Sequence, residues 1–238
     1  MPLSAPTEGD AVTPEPLVLP FRHGPFRNLS YLVACLETGE AAVIDPAWDT
    51  AAILEAATSR GLRITHVLLS HGHDDHTHGV AHLVETTGAT VFVHQAELAD
   101  LRRSFAGPVS QAAGESDVSL GRLSLRILHT PGHSPGSLSY LCGSHLFTGD
   151  TLMVGAMGRP APGHEAVTGL WHSVANVLHS LPPGSIVHPG HDAGPSQVST
   201  LAEQFARIPA LRAESLEAFI DAMERETGRI IGRPWAKI

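Results

Sequence analysis

A run of ten residues, 70–79, contains four histidines and two aspartates in the sequence SHGHDDHTHG. Histidine is the commonest metal ligand in proteins, and its neutral imidazole is also a general base near pH 7. The spacing His-x-His-x-Asp-His covers four residues of this run, namely His71, His73, Asp75 and His76. These residue types at this spacing indicate either metal-ion chemistry or proton transfer.

The position of this motif in the chain allows two metal ions to be held side by side. It follows ITHVLLS, an apolar run of strand length, and a helical pattern begins at about Thr77. Open sheets with covering helices gather ligand-binding groups where a strand ends and a helix begins. In an extended loop His71 and His73 point to the same side, so both can reach one ion. Asp75 and His76, at the helix start, turn toward a neighbouring position.

Three later segments place the same kinds of side chain just beyond apolar strands. HTPGHSPGS carries His133 after a Pro-Gly turn, LFTGDTL carries Asp150 after a Thr-Gly turn, and VHPGHDAG carries His191 after a second Pro-Gly turn. Glycine in such turns lets the backbone approach a ligand closely. These residues are candidates for the other half of the site.

The elements that must position these residues alternate between strand and helix in the first half of the chain, which implies a sheet covered by helices. We predict strands at LVLPFRH, NLSYLVACLE, AAVIDP, ITHVLLS and TVFVH, and helices at WDTAAILEAATSRG, THGVAHLVETTG and QAELADLRR. The second half is predicted to contain strands at RLSLRILHT, GSLSYLCG, HLFTGD and GSIVHPGH, a helix from about Glu165 to Leu181, and two amphipathic helices after it. We expect a flexible tail over residues 1–16 and a single domain over 17–238, which includes the C-terminal helices from about residue 195.

Composition restricts the partners and the location. The formal net charge of −9, from 24 acidic and 15 basic residues, disfavours nucleic acid as a partner. No segment approaches the roughly 18 consecutive apolar residues of a membrane span, and the start of the chain lacks the apolar core of a secretory signal. Cys35 and Cys142 lie in apolar runs and are predicted to be buried free thiols. We therefore expect a cytoplasmic protein with no membrane partner.

The four motifs, taken in order, resemble the signature of the metallo-β-lactamase superfamily, and the resemblance extends from about residue 17 to 194. It implies an α+β fold, a four-layer αβ/βα sandwich with metals at one rim. It also implies that one metal is bound by His71, His73 and His133, that a second is bound by Asp75, His76 and His191, and that Asp150 bridges the two. An aspartate at position 150, where the true zinc β-lactamases differ, points to the hydrolase and oxygenase branches.

Two metal ions that share a carboxylate also share a water, whose pKa they lower until hydroxide is available near neutral pH. Such a metal-bound hydroxide can attack the carbonyl of a thioester or another ester. In this scheme Asp75 is both a metal ligand and a catalytic residue, because it orients the nucleophile and shuttles a proton to the leaving group. Thioesters, lactones and phosphoesters all suit this chemistry.

Within the superfamily, the segments NLSYLV, HTPGHSPGS, LFTGDTLMVGAMGR and PGHD resemble the glyoxalase II-like and persulfide dioxygenase group most closely. The first branch implies a small-molecule thioester substrate and two divalent metal ions, with zinc as the expected metal. The second implies one iron held by His71, His133 and Asp150, with open positions for oxygen. This chain departs from both, because MGRPAPGHEAV lacks the glutathione-binding tyrosine of glyoxalase II and the GRPAP segment lacks the aspartate typical of the dioxygenases.

Between these two branches we favour the hydrolase, and the dioxygenase is the alternative. A lactonase and a non-catalytic metal-binding protein of the same fold are further alternatives.

The sequence also suggests roles for four more residues near the motifs. Arg159 lies past the bridging aspartate and is a candidate to bind a substrate carboxylate. Asp45, which ends the AAVIDP strand, is either a turn residue or the support of a ligand histidine. His78 follows the motif and is expected to be helix surface without a ligand role. His129 is expected either to orient a ligand or to be structural.

Overall fold

The predicted strands form two sheets in the computed structural model, which describes residues 15–114, 116–229 and 231. The predicted flexible tail therefore lies outside the described residues except for Glu15 and Pro16, as do residue 230 and residues 232–238 of the predicted C-terminal part. The strands found within the described ranges are β1 Leu17–His23, β2 Asn28–Cys35, β3 Glu40–Ile44, β4 Arg63–Leu68, β5 Thr90–Val93, β6 Val109–Gln111, β7 Ser116–Leu120, β8 Leu123–His129, β9 Leu138–Cys142, β10 His145–Gly149, β11 Leu152–Met153, β12 Ala156–Met157, β13 Ile186–Pro189 and β14 Ser199–Thr200.

In the described part of the chain, two six-stranded sheets have the orders β1-β2-β3-β4-β5-β6 and β14-β13-β10-β9-β8-β7, and β11 pairs with β12. In the first sheet β1 to β3 are antiparallel, and β3 to β6 run parallel to one another. In the second sheet β10 and β13 are parallel, and β8 shares their direction because it reaches β10 through two antiparallel pairings. The carboxyl ends of β3 and β4 thus share one edge, as do those of β8, β10 and β13.

The α-helices of the described residues are α1 Ala51–Thr58, α2 Asp74–Thr77, α3 Val80–Thr87, α4 Leu98–Leu101, α5 His164–His172, α6 Leu201–Arg207 and α7 Leu216–Thr227. A π-helical turn, Ser173–Val177, continues α5, and single 3₁₀ turns cover Gln95–Glu97, Leu178–Ser180 and Pro209–Arg212. None of these helices is long and apolar enough to cross a membrane.

Side-chain alternation along β2 shows how the layers are built. Tyr31 and Val33 belong to the apolar cluster between the two sheets, whereas Leu32 and Ala34 belong to a cluster under the first group of helices. Successive side chains of a strand point to opposite faces, so a strand that is buried on both sides carries a continuous apolar run. This explains why all eight residues of β2 are buried.

Three apolar clusters separate four layers. The cluster between the sheets joins β2 and β3 to β8, β9 and β10. A second packs α1, α3 and α4 on the outer face of the first sheet, and a third packs α5, α6 and α7 on the outer face of the second sheet. The order helix, sheet, sheet, helix confirms the predicted αβ/βα sandwich of the α+β class.

The structure differs from the sequence prediction in three places. The strands β6, β7, β11, β12 and β14 were not expected. The helix predicted from Thr77 begins earlier, at Asp74, and divides into α2 and α3 around residues 78–79. The helix predicted up to Leu181 changes to a wider turn at Ser173, whose hydroxyl donates to the backbone oxygens of Pro131 and Gly169 at 2.7 and 3.0 Å. Such back-bonding by serine competes with the regular helical ladder.

Candidate metal centre

The predicted ligand residues lie at one rim of the sandwich, where strands of both sheets end. The loop after β4 carries the first motif, and the segments after β8, β10 and β13 carry His133, Asp150 and His191. Backbone hydrogen bonds join the sheets here, from Leu29 N to Gly190 O at 2.8 Å and from Leu138 N to Ser70 O at 2.7 Å. The rim therefore holds side chains from distant parts of the sequence in one place.

Three histidines form what we call the first cluster: His71, His73 and His133. His71 Nε2 and His133 Nε2 lie 3.0 and 3.1 Å from His73 Nδ1. Three nitrogens that converge in this way have the spacing of ligands around one small cation, since Zn–N bonds are about 2.0–2.1 Å long. The three donor atoms come from two loops, one on each sheet.

In His71 and His133 the Nδ1 atom has a hydrogen-bond partner, which leaves the Nε2 atom free to accept. The Nδ1 of His71 lies 2.9 Å from Ser70 Oγ, and the Nδ1 of His133 lies 2.8 Å from the backbone oxygen of Arg159. A carbonyl oxygen only accepts, so His133 carries its proton on Nδ1 and presents a lone pair at Nε2. Contacts of this kind fix both the tautomer and the ring orientation of metal-binding histidines.

A second cluster contains Asp75, His76 and His191. The Nε2 atoms of the two histidines are 3.2 Å apart, and Asp75 Oδ2 lies 3.8 Å from His76 Nε2 and 3.6 Å from His191 Nε2. His191 Nδ1 donates to the backbone oxygen of Phe26 at 2.9 Å, which leaves its Nε2 as the free acceptor. This group too has the donor atoms of a metal site, with one carboxylate and two imidazoles.

Asp150 lies between the two clusters. Its Oδ2 is 3.5 Å from His133 Nε2 in the first cluster and 3.4 Å from His191 Nε2 in the second, and its Oδ1 is 3.5 Å from His76 Nε2. Oδ1 is buried and has no hydrogen-bond donor within the described residues. A buried carboxylate oxygen without a donor is costly unless a cation satisfies it.

The histidines of the two clusters differ in the direction in which burial and neighbouring charges shift their pKa values. Burial lowers the pKa of His71 well below its usual value and also lowers the pKa of His133, so both rings are neutral, as metal ligands must be. Burial acts in the same direction on His76, but Asp150 overrides it and raises the pKa of His76 to about 9. Although burial opposes ionisation of Asp150, His76 and His191 hold the pKa of this carboxyl far below its usual range.

Asp45 supports the second cluster from beneath. It directly follows β3, is buried, and its Oδ1 accepts from Ser70 N at 2.7 Å. Its Oδ2 accepts from Ser70 Oγ at 2.5 Å and from His76 Nδ1 at 3.1 Å. Asp45 also falls within ligand distance of His71 and His76, but these contacts already occupy both of its oxygens. Of the two roles expected for Asp45, the structure favours the support of a ligand histidine.

Asn28 was not expected to belong to the site. It is fully buried at the start of β2, and its Nδ2 donates to Asp75 Oδ2 at 2.9 Å. Its Oδ1 accepts from the indole N–H of Trp48 at 3.2 Å. The only sequence signal was a polar residue at the head of an apolar strand, and nothing there indicates which side chain it contacts.

An open cleft of about 650 Å³ lies over both clusters. Its apolar lining residues, which we call the apolar wall, are Phe26, Trp48 and Met153, and Phe26 is 62% exposed. Arg159, which was predicted to lie near the substrate, also lines the cleft. His78 is an exposed cleft residue whose ring lies 5.3 Å from that of Trp48, so it borders the pocket and belongs to neither cluster.

Two other polar residues near the motifs have partners outside the clusters. Asp74 is exposed and forms an ion pair with Arg103 at 3.0 Å. His129 donates from Nε2 to the backbone oxygen of Pro135 at 3.0 Å, and its ring stacks on that of His94 at 4.6 Å. Of the two roles considered for His129, the structural one matches these contacts. Cys35 and Cys142 are buried free thiols, as predicted.

The residues present fit a pair of divalent cations. Three imidazole nitrogens face one another in the first cluster, and an unsatisfied oxygen of Asp150 reaches toward the second. A positive ion at each position would bind these nitrogens through their lone pairs and satisfy that oxygen. The donor set of nitrogen and carboxylate suits both zinc and iron.

Known proteins are similar to this chain in sequence and in fold. A hydroxyacylglutathione hydrolase of Anaeromyxobacter dehalogenans (strain 2CP-C) is 36% identical over 200 residues, which cover 80% of this chain and 75% of that protein. A Bacillus velezensis (strain DSM 23117 / BGSC 10A6 / LMG 26770 / FZB42) protein named "Probable polyketide biosynthesis zinc-dependent hydrolase BaeB" is 24% identical over 204 residues, covering 86% and 90%. Both names are those of hydrolases, in agreement with the predicted enzyme class.

Two solved structures extend the comparison. ETHE1 from Myxococcus xanthus superimposes with a TM-score of 0.74 and 29% identity, covering 89% of this chain and 91% of that one. TTHA1623, solved in a di-iron-bound form, has a TM-score of 0.66 and 31% identity, covering 80% and 98%. Residues 23–232 match the family described as the Metallo-beta-lactamase superfamily. The predicted resemblance is confirmed, and this chain belongs to the metallo-β-lactamase superfamily.

Proposed function

We propose that this protein is a metal-dependent hydrolase of the glyoxalase II type, which cleaves a small thioester by attack of water on its carbonyl carbon. The observation that carries the proposal is the place of Asp150, one oxygen of which lies within 3.5 Å of an imidazole nitrogen from each cluster. A carboxylate between two ligand sets is the arrangement of a two-metal hydrolytic site. The 36% identity to a hydroxyacylglutathione hydrolase supports the same reaction class.

The seven predicted ligands divide between two ions in this proposal. His71, His73 and His133 would hold one ion. Asp75, His76 and His191 would hold the other, with Asp150 shared. Two such cations supply a water of lowered pKa, which is a nucleophile near neutral pH. We favour zinc, which is supported by the zinc-dependent BaeB relative, and iron is the alternative.

The side chains around the ions would orient the reacting groups. Asn28 holds Asp75 through Oδ2, so the carboxylate keeps one orientation beside the cleft. In that position Asp75 can accept a proton from the attacking water and pass it to the thiolate that leaves. Proton transfer by a positioned carboxylate typically accelerates such a step by about 100- to 10,000-fold.

The cleft suggests how the substrate is oriented. The backbone oxygen of Phe26 accepts a hydrogen bond from His191, and Asn28 links Trp48 to Asp75. These two residues of the apolar wall therefore lie on the side of the second cluster. Arg159 adjoins His133 and lies on the side of the first cluster. We propose that Arg159 binds a carboxylate of the substrate and that the apolar wall packs against uncharged parts of it.

The remaining features support a small-molecule enzyme. The net charge of −9 opposes binding of nucleic acid. Buried free thiols suit a reducing compartment, which supports a cytoplasmic location. We also propose that residues 17–238 act as one domain.

A second candidate function is oxidation of a persulfide by a single iron. It is favoured by the set His71, His133 and Asp150, which is the two-histidine, one-carboxylate group of mononuclear iron oxygenases. The relative named hydroxyacylglutathione hydrolase, 36% identical over 200 residues, favours the hydrolase over this candidate.

Metal analysis of protein purified without added metal separates these functions. Two zinc ions per chain, with hydrolysis of a hydroxyacylglutathione thioester followed by its ultraviolet absorbance, would support the proposal. One iron per chain, with oxygen uptake on glutathione persulfide and no thioester hydrolysis, would replace it with the second candidate. A matched control is His172→Ala, which removes an exposed histidine remote from the cleft and should change neither metal content nor rate.

A further inference from the structure

Glu97 is a buried acid that the reaction does not use. The residue is only 1% exposed and lies in the 3₁₀ turn that follows β5. Its Oε2 accepts from Gly72 N at 2.8 Å, and its Oε1 accepts from Gly136 N at 2.6 Å. Both oxygens of one carboxylate are therefore committed to backbone amides of two different loops.

Those two amides flank the first cluster. Gly72 stands between His71 and His73, and Gly136 lies three residues after His133 in the turn that joins β8 to β9. The two loops belong to different sheets. A single carboxylate thus spans the rim and connects the backbone segments that carry all three histidines of the cluster.

The contact depends on glycine at both positions. A Cβ added to Gly72 would lie 2.9 Å from Glu97 O and 3.1 Å from Glu97 Oε2, and one added to Gly136 would lie 2.7 Å from Glu97 Cγ. The distances to Glu97 O and to Glu97 Cγ are both too short for an ordinary contact with a Cβ atom. Only a residue without a side chain lets the amide approach the carboxylate at hydrogen-bond distance.

The surrounding residues hold Glu97 itself. Its backbone N–H donates to His94 O at 3.0 Å, and α4 follows directly, with Leu101 buried under the first sheet. The His94 ring stacks on His129, which donates to Pro135 O in the same turn as Gly136. The acid is consequently fixed from the side of the first sheet and reaches across to the second.

Resting on the proposed function, we propose that Glu97 is a positioning residue that sets the spacing of His71, His73 and His133 for the first metal ion. It touches no ligand side chain and acts through the two backbone amides. Hydrogen bonds from N–H groups to an ionised carboxylate are shorter and stronger than neutral ones, which suits a clamp of this kind. Loss of one arm would let one loop shift relative to the other.

The test is a chelator competition with zinc alone, which needs no substrate. Glu97→Gln has nearly the same shape but replaces one accepting oxygen by an NH₂ group, so one arm of the clamp is lost. We expect it to lower the zinc affinity of one of the two sites by about 10- to 100-fold, the range for residues that support metal ligands. Restoring the acid should restore the affinity.

The control is Gln204→Leu, which removes a different buried clamp. Gln204 Oε1 accepts from Gly155 N at 2.6 Å, and this contact flanks neither cluster. We expect the melting temperature of the metal-free protein to fall to a similar extent in both variants, with zinc affinity reduced only in Glu97→Gln. In metal-free protein, the amide proton resonances of Gly72 and Gly136 should also move upfield in that variant.

Equal zinc affinity in Glu97→Gln and in the unmodified protein would overturn the inference, as would an equal loss in Gln204→Leu. The proposed function fails separately, if the unmodified protein binds zinc but does not hydrolyse thioesters. In that case the affinities still decide the role of Glu97.

Discussion

The side-chain amide of Asn28 donates to the carboxylate of Asp75 over 2.9 Å. This contact joins the first residue of β2 to the residue that we propose moves the proton. Without it the carboxylate is free to rotate. We expect Asn28→Ala to lower kcat by about 10- to 100-fold with little change in KM, as measured by steady-state thioester hydrolysis.

A graded control tests the same contact. Trp48→Phe keeps a ring on the cleft wall but removes the N–H that donates to Asn28 Oδ1 at 3.2 Å. We expect a smaller loss of kcat in the same direction. A larger loss than in Asn28→Ala would contradict the order of contacts proposed here.

Removing the shared carboxylate should affect both metal positions. Asp150 contacts both clusters, so Asp150→Ala is expected to reduce the metal content below one ion per chain and to lower the rate by about 100- to 1,000-fold or more. His133→Ala should also lose metal and activity. Plasma mass spectrometry of the purified variants measures the first effect, and two retained ions in Asp150→Ala would rule out a bridging role.

Arg159 makes its backbone contact and its cleft contact with different atoms. Its carbonyl oxygen accepts from His133 Nδ1, and this atom is unchanged in Arg159→Ala. If the guanidinium binds a substrate carboxylate, this variant should raise KM about 10-fold while kcat and metal content stay the same. Arg126→Ala, an exposed arginine of β8, is the charge-matched control. A fall in metal content instead of a rise in KM would assign Arg159 to the support of His133.

A histidine pair away from the cleft predicts how stability depends on pH. His188 Nε2 lies 2.8 Å from His145 Nδ1, its ring stacks on Phe147, and Glu15 lies 3.9 Å from the far side of His145. Burial, followed by the charge of His145, lowers the pKa of His188 to about 3. The unfolded chain takes up this proton near pH 6.5 but the folded chain does not.

Stability from this residue is therefore full above pH 6.5 and is lost as the pH falls toward 3. The expected loss in the free energy of unfolding is roughly 3 to 5 kcal/mol over that range. Denaturant unfolding of metal-free protein measures it. His188→Gln keeps a hydrogen-bonding side chain that does not titrate, so its curve should be flatter. Parallel curves for the two proteins would show that His188 contributes nothing to the pH dependence.

The parts that could be predicted from sequence are those set by local pattern. Long apolar strands such as β2 and β8 were predicted because burial on one or both faces leaves a readable run of side chains. The ligand residues were predicted because each stands in a short turn directly after such a strand. The strands β6 and β7 were missed because both are short and mostly polar. The sequence of β6 is VSQ and that of β7 is SDVSL, and neither has enough apolar residues to be distinguished from a loop.

The parts that were missed depend on contacts between distant segments. Glu97 looks like any acid in a short helix until Gly72 and Gly136 approach it from two sheets. Asn28 is 47 positions from its partner Asp75. No periodicity in the sequence carries such pairings, because they arise only when the two sheets pack together.

The division of the ligands between the sheets links metal capture to the order of synthesis. His71, His73, Asp75 and His76 follow β4, whereas His133, Asp150 and His191 belong to the second sheet. A nascent chain that has emerged only as far as Asp150 presents an unfinished ligand set, and the second position is completed only when β13 docks beside β10. Ions bound as proposed would then cross-link the two halves of the molecule, and metal at about 1,000 times its dissociation constant would add about 4 kcal/mol against their separation.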